Sequence, residues 1–572
     1  MSFRDFLQRI PTSVLLSSIF LPLGGVLLSF GTGWGAGPGN TGLFLSALAG
    51  AQSGVLAIVF SVTLIGVQLI GTRYSPRMVS RFTEQPVFVF TFGLFVVSIA
   101  LDLWLLYNIP SSPVDVHTAG VFAASGLALA VAYSLFVFVR EATQQSTPEG
   151  AIDVFVSGMN AERYLSEVEV SVENDSDDAH PMRPLYNLIM NALSKGERVT
   201  AEKAIREYGE LSQEILRELD DNSIFESSDR GVQKELFGPV LKEHLVEISL
   251  HAEELDESKI VRKSVEWQYE LGHDGIDRSI SQVAWQSRTG FSNILRDSPV
   301  ETSLVASGQA WKRMGELLVD AAEHPDPEIV RAISSSIRRD LRGQLFRLED
   351  VNWYRDIMMD LYRDFEDAHK ALLEHCTGAV AEADMQWQFD HVPDDDPNRE
   401  QVSAVFKLRH ALFDTTANFM QYLIDHEEYP VIEGNFKDSW RNICVEASKT
   451  HAEDYAIVLC QAMIEIAFID RCERPEQGIS WSRKIGRVMY EGDAEIVEAA
   501  FDRILQYEYL DEEPGILMFS EDLEKQYKTY YQNQINVEEY SPLNTRIKFD
   551  EIVKNIRSSA FERKAQLEEY DR

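Results

Sequence analysis

Few residues in this sequence have both the type and the spacing that chemistry needs. Gly37-Pro38-Gly39-Asn40-Thr41-Gly42 reads as G-x-G-x-x-G. That pattern cradles a pyrophosphate only where a strand turns into a helix, and here it follows an apolar run, so it predicts no nucleotide site. The chain has no G-x-x-x-x-G-K-[ST], no G-x-S-x-G, no H-E-x-x-H and no C-x-x-C. Phosphate-loop, serine-hydrolase, zincin and redox-pair chemistry therefore have no motif here. Cys376, Cys444, Cys460 and Cys472 are scattered, as small buried residues in a reducing compartment would be. His369 and Cys376 share a helical face, with His375 beside them, but a metal needs three or four converging ligands. Carboxylates are so abundant that no pair stands out as an acid and base. The sequence predicts no catalytic residue, no metal, no cofactor and no enzyme.

Two features inside apolar sequence carry more information. Asp102 is the one charged residue within a long apolar run, and such acids mark functional sites unless they reach water. With Trp104 and Tyr107 close by, it reads either as a carboxylate at an outer mouth or as a satisfied interfacial residue. The second feature is a stripe of small and polar residues. Ser46, Gly50, Ser53, Gly54, Ala57, Ser61, Gln68 and Thr72 fall within one helical arc of roughly 100°, with Leu64 as its large apolar member. Gly50 and Gly54 form G-x-x-x-G, which lets two backbones approach. The stripe is either a packing seam against neighbouring helices or the lining of a water-filled path in an oligomer, narrowed at Leu64.

These residues must be positioned by membrane helices. Four apolar runs, about 13–32, 42–71, 87–107 and 117–139, each reach the ~20 residues that cross a bilayer. The second is long enough to require tilt or projection from the membrane. Arg4, Arg9, Arg73, Arg77, Arg81 and Arg140 all lie at one side of this arrangement, and the loops 33–41 and 108–116 hold no basic residue. That bias predicts a multi-pass protein of the cytoplasmic membrane with both termini in the cytoplasm. The long first run, with Pro22 in it, argues against a cleaved signal peptide. Ser75-Pro76 starts a short helix that would hold Arg73, Arg77 and Arg81 near lipid phosphates, although simple positive-inside anchoring accounts for the same residues.

Phe60-Ser61, Thr63-Leu64, Gln68-Leu69 and Tyr74-Ser75-Pro76-Arg77 lie in the stretch FSVTLIGVQLIGTRYSPR, residues 60–77. This stretch resembles FSITLxxLQLxxxxYSPR, the signature of a prokaryotic predicted membrane protein family catalogued as a domain of unknown function. The resemblance implies a membrane domain over about 1–145. It implies no activity.

Charge divides the chain. Residues 1–149 hold six Arg, no Lys and six acids, leaving 47 basic and 85 acidic residues downstream, so the whole net charge of −38 lies there. An acidic region of this kind repels nucleic acid. It reads either as a partner-binding surface or as adaptation to a salty cytoplasm, and the 17 Lys against 36 Arg favour a halophilic source.

From residue 150 the apolar residues recur at helical spacing. Ala204, Tyr208, Leu211, Ile215 and Leu219 share a face, and Asp326-Pro327-Glu328 opens a helix carrying Val330, Ile333, Ile337 and Leu341. Val168 to Val172 is the one short strand-like alternation. The expected fold is all-α: a four-span membrane domain, 1–145, then an acidic helical domain, 150–572, solenoid-like or an irregular bundle and divisible into two subdomains. The expected function is a membrane-anchored scaffold or sensor with the bilayer, a homo-oligomer and a cytoplasmic protein as partners, and no nucleic acid. The alternative is an oligomeric ion channel lined by the second span and gated by the second domain.

Overall fold

The computed structural model describes residues 11–32, 38–73, 86–108, 114–145, 147–173, 180–221, 223, 225, 228, 230–298, 305–324, 326–345, 351–382, 398–425, 435–450, 452–473, 478–506 and 542–570. Among the described residues the regular structure is helical, without strands. The chain forms two compact units, residues 1–219 and 220–572. The helices between residues 148 and 219 thus belong with the apolar helices in the first unit.

The first unit begins with α1 (Thr12–Thr32), α2 (Pro38–Arg73), α3 (Pro86–Asn108) and α4 (Val114–Gln145). In hydrocarbon a backbone must satisfy its own polar groups, so apolar runs of this length become helices. Proline opens α2 and α3, where its missing N–H removes no helical bond. Three stretches, Asn40–Ser61, Val89–Asn108 and Thr118–Arg140, are long and apolar enough to cross a membrane. The expectation of four is met by three: the apolar stretch Thr12–Leu28 of α1 is shorter.

α1 and α4 run antiparallel in close contact, made possible by two glycines. A Cβ at Gly25 would strike the Phe122 carbonyl, and one at Gly126 would strike the Leu21 carbonyl. α2 packs on α3, and α3 on α4. Gly42 faces Leu106, Phe60 stacks edge-on against Phe92 with centroids 5.8 Å apart, and Gly120 faces Leu105. These pairs make both packings antiparallel.

After the apolar helices come α5 (Pro148–Ser157), α6 (Ala161–Glu173), α7 (Arg183–Ser194) and α8 (Arg198–Asp221). Thr147 caps α5 by accepting from the Gly150 N–H at 3.1 Å. Glu218 of α8 accepts from the Ala161 N–H at 3.1 Å, so a distant carboxylate caps α6. Gly196 ends α7 at φ 70°, and the Glu197 N–H reaches back to the Ala192 carbonyl. The alternation at 168–172 lies inside α6: Val168 is buried, whereas Val170 and Val172 are exposed. Its glutamates and valines suit an amphipathic helix, with Tyr164 and Val168 one turn apart on the buried side.

In the second unit α9 (Arg230–Pro239) passes through a π turn, Val240–His244, into α10 (Leu245–Glu254). Pro239 supplies no N–H, and the helix widens just after it. Side-chain amides cover carbonyls of this segment: Gln286 donates to Lys234 O at 2.6 Å and Asn293 to Lys242 O at 3.1 Å.

The chain continues with α11 (Ser258–Asp277), α12 (Ser281–Asp297), α13 (Val305–Glu323), α14 (Pro327–Leu345), α15 (Val351–Glu382) and α16 (Arg399–Asp425). The last described helices are α17 (Asn435–Lys449), α18 (Glu453–Glu473), α19 (Gly478–Glu491), α20 (Ala494–Gln506) and α21 (Pro542–Tyr570). From α10 to α15 each helix packs on the helix two places on, and so do α17 to α19. Buried aromatics bind these layers together. Tyr362 of α15 meets Phe436 of α17 at 4.5 Å, and Phe436 meets Trp481 of α19 at 5.6 Å.

Candidate functional site

α2 carries the residues of the small and polar stripe, and those whose side chains are described face outward on the first unit. Ser46, Gly50, Ser53, Gly54, Ala57, Ser61 and Leu64 are exposed on the first unit. A Cβ at Gly50 or Gly54 would meet nothing within 4 Å. The side of α2 that packs is instead Thr41, Leu45, Ala49 and Gln52. That seam lies roughly 120° from the stripe, at 100° per residue. Among the described residues of the first unit, α2 packs through this seam and not through the stripe. Two of its hydroxyls are spent on their own helix: Ser53 donates to Ala49 O at 2.8 Å and Ser61 to Ala57 O at 2.9 Å. Gln68 and Thr72 continue along α2, but their side chains and that of Arg73 lie outside the described ones, and Arg77 and Arg81 lie outside the described residues.

Asp102 turns the other way. Trp104 and Tyr107, its neighbours in sequence, are exposed, while Asp102 is wholly buried. On α3 it shares a face with Thr91, Phe95 and Ser98, all buried. Leu45, Leu105, Val121 and Ala124 of α2, α3 and α4 form an apolar cluster beside this face. Neither carboxylate oxygen of Asp102 has a hydrogen-bond partner, and the same holds for Thr91 Oγ1, Ser98 Oγ and both amide atoms of Gln52. Sequence patterning found Asp102 but missed Gln52, because one polar residue in an apolar helix gives no periodic signal.

The remaining sequence motifs are structural. Pro38 to Gly42 of the glycine-rich match form the first turn of α2. His369 is buried in α15, and its Nδ1 lies 2.7 Å from the Phe365 carbonyl. Burial pushes its imidazole down to about 4, so it is neutral. Cys376 is buried in the same helix, and burial raises its thiol to about 11. Among the described residues no three His, Cys, Asp or Glu side chains are arranged to hold a metal ion.

A polar cluster that motif reading did not single out joins α11 and α13. Tyr269 donates to Asp320 Oδ2 at 2.9 Å, and His273 Nδ1 lies 3.0 Å from the same oxygen. His273 Nε2 lies 3.4 Å from Asp277, and His324 reaches Asp277 at 3.5 Å. Arg313 covers the Tyr269 ring at 4.9 Å. Burial alone would lower the His273 pKa, but the charge and hydrogen bond of Asp320, with Asp277 and Asp274, hold it above the ordinary value. The signal was present as His273/Asp277 and Asp320/His324, each one helical turn apart, but their meeting depends on tertiary packing.

Comparison with known proteins finds a likeness to a family over the first part of the chain. Residues 5–196 match the family model described as predicted membrane protein (DUF2254). The match contains the whole 60–77 signature and runs past the last apolar helix into α7 and the residues before α8. No curated protein matches the chain. Among solved structures, one described as a circular tandem repeat protein with novel repeat topology and enhanced subunit contact surfaces aligns at 14% identity. It covers 92% of this chain and 98% of its own, with a TM-score of 0.21. A superposition that loose establishes no shared fold.

Proposed function

We propose that this protein is a multi-pass scaffold or sensor of the cytoplasmic membrane that self-associates through α2 and presents its acidic helical unit to protein partners in the cytoplasm. The carrying observation is the outward small-residue face of α2, open at Gly50 and Gly54. Close backbone approach is what such a face offers, and a second copy supplies the matching face by symmetry. α1 acts as a fourth span in this reading, and the arginine bias places both termini inside. The next-but-one packing of helices in the second unit supports a solenoid-like stack, whose extended side suits protein binding. The acidic excess keeps that unit hydrated in a salty cytoplasm.

The test is the mass of the full chain in nanodiscs. Self-association predicts an oligomer that falls to monomer in Gly50→Ile with Gly54→Ile. A wild-type monomer overturns the reading.

The channel reading draws on the same face, with Ser46, Ser53 and Ser61 along it and Leu64 as the constriction. The inward bonding of the Ser53 and Ser61 hydroxyls makes it the weaker of the two. Conductance of purified protein in planar bilayers, abolished or altered by Leu64→Ser, would favour the channel over the scaffold.

A further inference from the structure

Among the described residues of the apolar helices, the buried polar atoms without a hydrogen-bond partner gather on the face of α3 that carries Asp102 and on α2. Six side-chain atoms there and on the facing side of α2 are buried without a hydrogen-bond partner: two of Asp102, two of Gln52, Ser98 Oγ and Thr91 Oγ1. Their positions are related. Ser98 precedes Asp102 by one helical turn, so both project from one side of α3. The antiparallel register set by Gly42 against Leu106 and Phe60 against Phe92 brings Gln52 level with Ser98. The register of Gly120 against Leu105 brings the small residues Ala123 and Ala124 of α4 level with Asp102.

No Lys or Arg lies in α1 or α3, and those of α2 and α4 stand at Arg73 and Arg140, near the helix ends. Asp102 therefore has no fixed basic counter-charge along the apolar stretches. His117, at the start of α4, is a turn and a half beyond the level of Asp102, on the side of Asp115 and Tyr107. An ionised carboxylate buried in apolar surroundings requires a mobile counter-ion or a proton. The neighbouring groups decide which. A proton neutralises the charge and leaves no role for oxygens gathered around it. A hard cation needs several oxygens around one negative charge, and Ser98 Oγ with Gln52 Oε1 supplies neutral ones.

We propose that Asp102, Ser98 and Gln52 form a binding site for a monovalent cation between α2, α3 and α4, with Asp102 as the charged ligand and the other two as neutral oxygen ligands. One carboxylate balances one positive charge, so a divalent ion would leave an uncompensated charge among apolar side chains. The site lies within one chain and does not depend on self-association.

Sodium is the probe. The full chain in phosphatidylcholine nanodiscs is equilibrated with radioactive sodium at constant ionic strength, choline replacing sodium. Saturable sodium binding is expected, weakened about tenfold or more in Asp102→Asn and several-fold in Ser98→Ala and Gln52→Leu. Ser98→Ala keeps the carboxylate and removes only a hydroxyl, so it reports on the site even where Asp102→Asn fails to fold. The proposal is overturned by the absence of saturable binding to the wild-type chain, or by unchanged binding in Ser98→Ala and Gln52→Leu. A protonated-carboxyl infrared band at neutral pH that is lost in Asp102→Asn and insensitive to sodium also overturns it, and makes Asp102 a neutral acid.

Discussion

His273 Nδ1 and Asp320 Oδ2 lie 3.0 Å apart across the contact of α11 and α13, on the oxygen that also accepts from Tyr269. Asp320 thus joins the two helices through a histidine whose protonated form it favours. Because the folded-state pKa of His273 is raised, its contribution is fully present below the ordinary histidine value of about 6.5. The contribution is lost as pH rises through the folded value. The melting temperature of wild type should therefore fall across that window by more than that of His273→Gln, with the two curves differing by a few degrees on the acid side. Parallel curves in a thermal scan series would show that the imidazole charge plays no part.

Asp364 of α15 predicts a second pH effect, separable from the first. Its carboxylate lies against Gly315 of α13, where a Cβ would collide with it. Burial, reinforced by Glu316, Asp360 and Asp367, raises it to about 8. Between the ordinary value near 4 and that value the folded state keeps a proton that the unfolded state has lost, so stability falls as pH rises. Asp364→Asn should stabilise the protein at pH 9 by about 1–2 kcal/mol and leave it unchanged near pH 3. Calorimetry at both pH values checks this, and equal destabilisation at both would refute it.

Gln268 serves the π turn as an outside donor. Its amide donates to Leu241 O at 2.9 Å and to Ser287 O at 3.0 Å, while Ser287 Oγ returns a bond to Gln268 O at 2.7 Å. Gly290 leaves room for it, since a Cβ there would strike both the amide and the Leu241 carbonyl. Gln268→Leu keeps much of the volume and leaves those carbonyls without this donor, at a cost of about 1–3 kcal/mol. Denaturant unfolding measures it. A neutral result would mean that the π turn needs no outside donor.

Gly126 tests the packing of α1 on α4. Gly126→Leu places a side chain where the Leu21 backbone lies, and should open the pair at a cost of about 1–3 kcal/mol or prevent insertion of α1. Gly24, whose Cβ would meet nothing within 4 Å, is the control: Gly24→Leu should be tolerated. Protease accessibility of the Thr12 end distinguishes the two variants.

Helices were legible in the sequence wherever one face is buried. Ala204, Tyr208, Leu211, Ile215 and Leu219 are all buried in α8, and Asp326 caps α14 by accepting from the Glu328 and Ile329 N–H groups at 3.1 and 3.2 Å. The faces of the apolar helices were not legible in the same way. Lipid and protein are equally apolar, so hydrophobic spacing on α2 does not say which side packs, and the seam through Leu45, Ala49 and Gln52 went unseen. Val168 to Val172 misled because alternation over five residues fits a strand as well as a helix with one exposed edge. The His273 and Asp320 cluster needed two helices to meet, which single-helix periodicity cannot specify.

Self-association as proposed sets the stripe of α2 against the same stripe of a second copy. Ser53→Cys and Ser61→Cys, each introduced into the full chain in native-like bilayers, test it most directly. Disulfide cross-linking between copies under oxidation is expected, together with protection from a membrane-impermeant thiol reagent. Water reactivity at both positions in a ring of copies would make the stripe a pore. A chain that stays monomeric, with neither position cross-linking, would contradict self-association and leave the stripe facing lipid.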